Sequence, residues 1–541
     1  MTKQTPALAI TRACAIALAL FSLATLATFA TLAHAAGKTK NSAASAASAR
    51  QGEIPFPLPE TTPAATVATP VSSNAPLKMT ATTLGKVNPL FFGANFLYWL
   101  ENKKELADGK IEARVKDLPI TLLRYPGGTV ADNFHWATTT LDNPTRFPYT
   151  RPADVPDMST FDDFMAFCAR AGAEPMLVVN TESWVLRDDI AGGIKEAADW
   201  VRYCKTKNYK VKYWEIGNET YWHAILTGRE YGALVKRYSQ AMKAVDPAIV
   251  ISAVGHYDKD NFGEKEKFPR DQWAAIRQRA LAIASQKDAK AFDTFERGHQ
   301  KNAFPGSEKW WPSVLDECGK DIDMLSVHPY YSVPVGPGRN TVANLDVKIA
   351  ELKKFAKTKT GRDYLVCASE YSCKSDNEPN GWGMAEGVCR MLSGGVDLAT
   401  IWPLRYGGGN ERRSVLTVDN AKAPRYPWQI LKLFSDNFSG ADIIKCADAA
   451  AKNLYLFAAK TPAQITLVVT ARGNDKLSAT EGDYEIAFAP DAAKGKVTTV
   501  CAFATDANAI LRMTKPAYTL KPGGMTLHIV PGTFTMILIK R

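Results

Sequence analysis

Tyr213-Trp214-Glu215-Ile216-Gly217-Asn218-Glu219 compresses an apolar strand, a glycine turn and a terminal carboxylate into seven residues. A second stretch, Leu365-Val366-Cys367-Ala368-Ser369-Glu370, repeats the pattern of a short apolar run that stops on an acid. Continuous apolar runs of this length read as parallel strands buried on both faces. In a closed barrel of such strands, the residues just past each C-terminal end converge on one mouth. The two glutamates therefore predict a shared site if the rest of the chain completes a barrel.

From residue 90 onward, short apolar runs alternate with longer amphipathic ones, the texture of repeated βα units. Eight strands are counted: Phe91 to Phe96, Thr121 to Tyr125, Pro175 to Asn180, Val211 to Ile216, Ile249 to Val254, Asp323 to His328, Tyr364 to Ser369, and Leu398 to Trp402. Helical periodicity marks Phe161 to Ala171, Gly192 to Lys207, Tyr231 to Val245, Val342 to Lys357 and Gly383 to Ser393 between them. The expected fold is an α/β (β/α)₈ TIM barrel over residues 77–434. After about Ser435 the pattern changes to alternating strand-like segments such as Gln464-Ile465-Thr466-Leu467-Val468-Val469, which predicts a C-terminal antiparallel β-sandwich over 435–541. Leu77 to Thr82 is expected to add a strand to it from before the barrel.

The N-terminus carries Lys3 and Arg12, an apolar run from Ala13 to Leu32, and Ala33-His34-Ala35, the small-x-small pattern of a cleavage site. Residues 1–35 read as a secretion signal, giving a secreted or periplasmic location. An uncleaved anchor is the rival reading, since about 20 apolar residues span a bilayer; Ala and Thr dilute this run. Residues 36–76, rich in Ala, Ser, Thr and Pro, read as a linker. Lys and Arg number 66 against 55 Asp and Glu, a net +11 spread over 541 residues with no dense basic run interleaved with aromatics, so nucleic acid is not an expected partner. Of nine cysteines, eight lie beyond the signal, in patterns compatible with disulfides or with buried thiols. No CxxC or HExxH spacing occurs, so neither a metal nor a nucleotide cofactor is expected, and Gly127-Gly128 reads as backbone freedom rather than a phosphate cradle.

Polar and aromatic residues follow several of the strands: Arg124-Tyr125-Pro126-Gly127-Gly128 on the second, Asn218-Glu219 on the fourth, His328-Pro329-Tyr330-Tyr331 on the sixth, Glu370 on the seventh, and Trp402 then Arg405 on the eighth. Two carboxylates at one mouth point to glycoside hydrolysis, in which one protonates the leaving oxygen and the other attacks the anomeric carbon. Glu215, which alternates with the barrel-lining residues, reads as a structural or supporting partner. Asp132, Glu182 and Trp184 are candidates for shaping the pocket.

The segments LLRYPGG (122–128), YWEIGNE (213–219), SVHPYY (326–331), CASEYS (367–372) and TIWPL (400–404), with the lead-in GKVNPLFFGANF (85–96), resemble the retaining glycoside hydrolases of the large clan with strand-four and strand-seven glutamates. Within that clan the chain is most similar to the family 51 α-L-arabinofuranosidases, over roughly residues 77–541. The resemblance implies that Glu219 is the acid/base, that Glu370 is the nucleophile, and that Asn218 binds the sugar hydroxyl beside the anomeric carbon. It further implies that Arg124 and Tyr330 steady Glu370, and that His328 and Trp402 line the sugar subsite. A polysaccharide or oligosaccharide is the implied partner, with no membrane once the signal is cleaved. Thr129-Val130-Ala131-Asp132 departs from the Asn and aromatic that usually follow those glycines, which leaves the sugar open. β-Xylosidases, β-glucuronidases and agarases of the same clan stay as alternatives, as does a carbohydrate-binding protein without turnover. Exo or endo action and oligomeric state are not legible in the sequence.

Overall fold

In the computed structural model, eight parallel strands close on themselves: β1 Gly93–Asn95, β2 Leu122–Tyr125, β3 Glu174–Val179, β4 Tyr213–Ile216, β5 Val250–Gly255, β6 Met324–Val327, β7 Leu365–Lys374 and β8 Leu398–Ile401. Each pairs with the next in sequence and β8 returns to β1. The residues described are 54–63, 76–142, 157–223, 226–258, 310–333, 341–374, 380–407, 413–447, 453–473 and 478–541. By contacts the chain divides into Met1–Glu53, outside the described residues, and a compact unit Ile54–Arg541. The expected secretion signal and cleavage site therefore lie outside the described residues.

Every strand starts within two residues of its expected position, and β7 alone runs well past it, to Lys374. The helices α1 Lys110–Asp117, α2 Phe161–Ala171, α3 Ile190–Thr206, α4 Gly228–Val245, α5 Trp310–Cys318, α6 Leu345–Thr360, α7 Gly381–Gly394 and α8 Tyr426–Phe438 follow one strand each. The barrel is thus a complete (β/α)₈ unit. Two helix starts are set locally: Thr160 with Asp163 before α2, and Thr227 with Glu230 before α4, form reciprocal capping boxes that satisfy the free N–H groups of the first turn. Helix α8 crosses the boundary drawn at residue 434, because Phe434 and Phe438 continue its buried face into the sandwich.

Side chains on alternate strand positions fill the barrel in layers. Leu122, Met176, Tyr213, Met324, Cys367 and Leu398 pack together as an apolar plug near the strand starts. Two residues further along, the same inward positions carry Arg124, Glu215, Ser326, Ser369 and Thr400, all fully buried. A polar layer therefore lies directly beneath the mouth.

Ten strands form the second sheet, from both chain ends. Leu77–Lys86 joins its halves, antiparallel to Asp442–Cys446 and, through Leu77 and Lys78, parallel to Gly482–Ala487. The sandwich is antiparallel apart from this short parallel pairing.

Part of the stretch read as a linker packs onto the sandwich and helix α8. Over residues 54–63, Thr61 N donates to Thr498 O at 2.8 Å, Thr499 Oγ1 to Pro59 O at 3.0 Å, and Phe56 meets Trp428 edge to face at 6.2 Å. Ile54 and Phe56 supply the apolar anchors that its Pro-rich composition concealed. The eight cysteines from Cys168 to Cys501 are all free thiols, seven of them buried, where they act as small apolar side chains.

Candidate active site

Arg124 organises the mouth from below. Its guanidinium is fully buried and spends five donated hydrogen bonds: Nε to Glu215 Oε1 (3.2 Å), Nη2 to the same oxygen (2.6 Å) and to Asn218 Oδ1 (2.7 Å), and Nη1 to Glu370 Oε1 (2.8 Å) and to Asn95 Oδ1 (2.8 Å). A guanidinium has five N–H groups, so this pattern uses its whole capacity. Burial alone would lower the Arg124 pKa, but Glu215 and Glu370 raise it and keep it cationic. Burial would likewise raise the Glu215 carboxyl, yet Arg124, with His328, holds it below its ordinary range. Glu215 is therefore the structural partner its strand position implied.

Glu370 sits on a β-bulge. Ala368 faces Ala399 and Tyr371 faces Ile401, so three steps on β7 match two on β8. Bulges re-aim a side chain at a sheet edge or barrel rim, and here the extra residue falls at Ser369-Glu370. Both carboxylate oxygens are held: Oε1 by Arg124 and Oε2 by the Tyr330 hydroxyl at 2.6 Å. Its side chain is only 5% exposed.

Glu219 stands on the opposite side of the mouth and is more open, with 21% of its side chain exposed. It follows Gly217 (φ +75°) and itself takes φ +47°, a left-handed conformation that non-glycine residues rarely adopt. His328 Nδ1 lies 2.9 Å from Glu219 Oε1 and 3.7 Å from Glu370 Oε2, while its Nε2 lies 3.1 Å from Ser369 Oγ. Burial depresses the His328 pKa, but the two glutamates more than offset this and raise it. His328 is withdrawn from solvent between the two acids, so it bridges them rather than lining an open sugar subsite. One oxygen of each glutamate and the histidine nitrogen all fall within 4.8 Å of one another.

Asn218 is oriented by Arg124, which occupies its Oδ1; its Nδ2 is buried and without a protein partner among the described residues. Trp402, partly exposed, lies against the second glycine of the Pro-Gly-Gly turn: a Cβ on Gly128 (φ +58°) would fall 2.6 Å from its ring. Arg405 does not join the site; it is buried against Glu105 and the carbonyls of Leu100, Thr417 and Val418. Trp184 is taken up by Glu196, which accepts from its Nε1 at 2.7 Å. Asn95 escaped the sequence reading, although it is the one polar side chain in the first strand's apolar run; its Nδ2 is anchored on the carbonyls of Ser369 (3.0 Å) and Ile401 (3.2 Å).

A (β/α)₈ barrel with a strand-four and a strand-seven glutamate across its mouth, backed by a buried arginine, has the architecture of a retaining glycoside hydrolase. The comparisons with known proteins agree with that class. Residues 114–297 match the alpha-L-arabinofuranosidase 1 domain model. The chain is 24% identical over 279 residues to the intracellular exo-alpha-(1->5)-L-arabinofuranosidase of Acetivibrio thermocellus, covering 48% of this chain and 46% of that protein. It is 28% identical over 163 residues to alpha-L-arabinofuranosidase C of Emericella nidulans, covering 26% of this chain and 31% of that protein. The matches thus span less than half the length of these curated relatives. In fold it is similar to the alpha-L-arabinofuranosidase of Thermotoga maritima (TM-score 0.58, 16% identity, 86% of this chain and 100% of that one). The Paenibacillus polymyxa family 44 xyloglucanase is similar as well (TM-score 0.55, 14% identity, 86% and 99%). The chain resembles the retaining (β/α)₈ glycoside hydrolases, the family 51 arabinofuranosidases in particular.

Proposed function

We propose that this chain is an exported retaining glycoside hydrolase that cleaves α-L-arabinofuranosides in plant or algal polysaccharide or its oligosaccharides. The observation that carries the class is the spacing of Glu219 and Glu370, whose facing oxygens lie within 4.8 Å. Retaining enzymes hold their carboxyl groups about 5–5.5 Å apart, whereas inverting ones need about 6.5–9.5 Å to admit a water.

The unequal surroundings of the two acids support unequal roles. Glu370, clamped by Arg124 and Tyr330, is an oriented acceptor suited to attack. In the first step a Glu370 oxygen bonds to the anomeric carbon as the bond to the leaving oxygen breaks, and Glu219 gives that oxygen its proton. In the second, water attacks the same carbon, Glu219 takes the water's proton, and the ester bond to Glu370 breaks. Exposure of Glu219 suits a group that must exchange a proton twice per cycle. Asn218 Nδ2 would donate to the hydroxyl beside the reacting carbon.

Arabinofuranose as the sugar is supported by the domain match and by the names of the relatives. Internal cleavage of a polymer is the second reading, favoured by the likeness to a xyloglucanase at nearly the same TM-score. Export rests on the N-terminal sequence pattern. The test is hydrolysis of aryl α-L-arabinofuranoside, β-D-xyloside, β-D-glucuronide and β-D-galactoside by the wild type, Glu219→Ala and Glu370→Ala. Turnover of the arabinofuranoside, abolished in Glu370→Ala and partly restored by azide in Glu219→Ala, is the expected result. Turnover of another sugar moves the substrate, and silence on all four alongside cutting of whole polysaccharides selects the second reading. A mature protein in the extracytoplasmic fraction starting after Ala35 is expected; retention of residues 1–35 would overturn export by cleavage.

A further inference from the structure

The turn that carries Glu219 is strained, and strain of this kind persists only where the surroundings over-determine it. Gly217 and Glu219 both have positive φ, a conformation that a non-glycine residue such as Glu219 rarely adopts. Several contacts hold the flank on the strand side: Gly217 N donates to Val179 O at 3.0 Å, and the Tyr231 hydroxyl donates to Ile216 O at 2.6 Å while accepting from Val254 N at 2.8 Å. The glycine is also closely walled, since a Cβ there would come within 2.7 Å of Thr181 Oγ1 and 2.8 Å of Thr220 Oγ1. At the apex, the backbone N–H of Asn218, immediately before Glu219, donates to Asp132 Oδ1 at 2.9 Å.

Asp132 is fully buried, in the 3-10 turn Thr129–Asn133 that follows the Pro-Gly-Gly sequence of the β2 loop. Asp132 reaches the turn from a different loop and accepts from an amide that lies beyond the strand ladder, which ends at Ile216. The side chain of Glu219 is fixed separately by His328. The acid/base is therefore held at two points, its carboxyl by His328 and its backbone through Asp132.

We propose that Asp132 is a positioning residue for the acid/base: its carboxylate clasps the Asn218 amide and so holds the Gly217-Asn218-Glu219 turn in the conformation that presents Glu219 to the leaving oxygen. This rests on the glycosidase reading above for its chemical consequence, though not for the clasp itself.

Two measurements separate the parts. Hydrogen–deuterium exchange of the peptide spanning residues 215–223 reads the clasp without turnover: Asp132→Ala should lose protection there, and Asp132→Asn, which keeps an acceptor oxygen, should retain most of it. Leaving-group dependence reads the chemistry, because general-acid assistance contributes about 10²–10⁴-fold and only where the leaving group needs a proton. In Asp132→Ala, kcat/KM should fall about 100-fold or more for phenyl α-L-arabinofuranoside and less than about threefold for the 2,4-dinitrophenyl glycoside, the low end of that range. Asp132→Asn should restore most of the loss. Equal falls on both substrates would mark a merely structural role and overturn the proposal, as would unchanged exchange in Asp132→Ala. If wild type hydrolyses no glycoside while exchange responds as expected, the glycosidase reading fails and takes the acid/base role with it, leaving only the clasp.

Discussion

Arg124 Nη1 meets Glu370 Oε1 at 2.8 Å, and neither side chain is more than 5% exposed. The same arginine binds Glu215 and orients Asn218, so one cation sets the geometry of both sides of the mouth. The contact links residues 246 positions apart in sequence.

Lysine cannot replace this arginine, because an ammonium has three donors where five are in use. Arg124→Lys is expected to lower kcat at least ~100-fold, by misplacing the attacking Glu370 carboxylate. Arg124→Ala is expected to cost about 3–5 kcal/mol of stability as well, since it leaves buried carboxylates without their cation. Urea unfolding and steady-state kinetics on the two variants check both.

The carboxylate spacing predicts stereochemistry. Proton NMR of the first product formed from an aryl glycoside should show retention of anomeric configuration, given oxygens within 4.8 Å. Inversion would require the nucleophile to be reassigned.

His328 has its pKa raised by the two glutamates against the effect of burial. Its proton therefore contributes stability that is fully present below the unfolded value of 6.5 and is lost as pH climbs through the higher folded value. Wild type should lose thermal stability between about pH 6.5 and the folded pKa relative to His328→Gln, whose curve should be flatter there. Parallel Tm profiles for the two proteins from pH 5 to 9 would contradict this.

Glu101 follows a linkage of the same sign, at a carboxyl. Burial pushes its carboxyl up to about 8, with Arg405 only partly offsetting it, while its Oε2 accepts from Leu97 N at 2.6 Å. A carboxyl whose folded pKa is raised favours the fold at low pH and opposes it increasingly from about 4.5 up to 8. Glu101→Gln should leave Tm unchanged at pH 4 and raise it by about 1 °C per kilocalorie gained at pH 8.

Gly128 combines φ +58° with ψ −161°, a region essentially confined to glycine, and its α-carbon abuts Trp402. Gly128→Ala should cost about 1–3 kcal/mol and raise KM by displacing the indole. Calorimetry together with KM on the arabinofuranoside reads both effects.

The barrel was legible because its signals are local. Continuous apolar strand runs and helices of 3.6 period are written in consecutive residues, and Glu219 and Glu370 stand out since each terminates such a run. Arg124, Asn218, Tyr330 and Glu370 meet in the structure, as the segment resemblance implied. His328 meets the acids rather than the subsite, and Arg405 meets Glu105 rather than the mouth. Asn95 carries no periodic signature of its own. The bulge at Ser369-Glu370, the left-handed backbone of Glu219 and the parallel pairing of Leu77 with Ile486 depend on register, which a strand acquires only from its neighbour. The sequence by itself therefore determined the eightfold alternation and which face would hold the acids. Tertiary structure decided which charges compensate one another, because barrel closure brings together side chains tens to hundreds of residues apart, and burial then requires each polar atom to find its partner there.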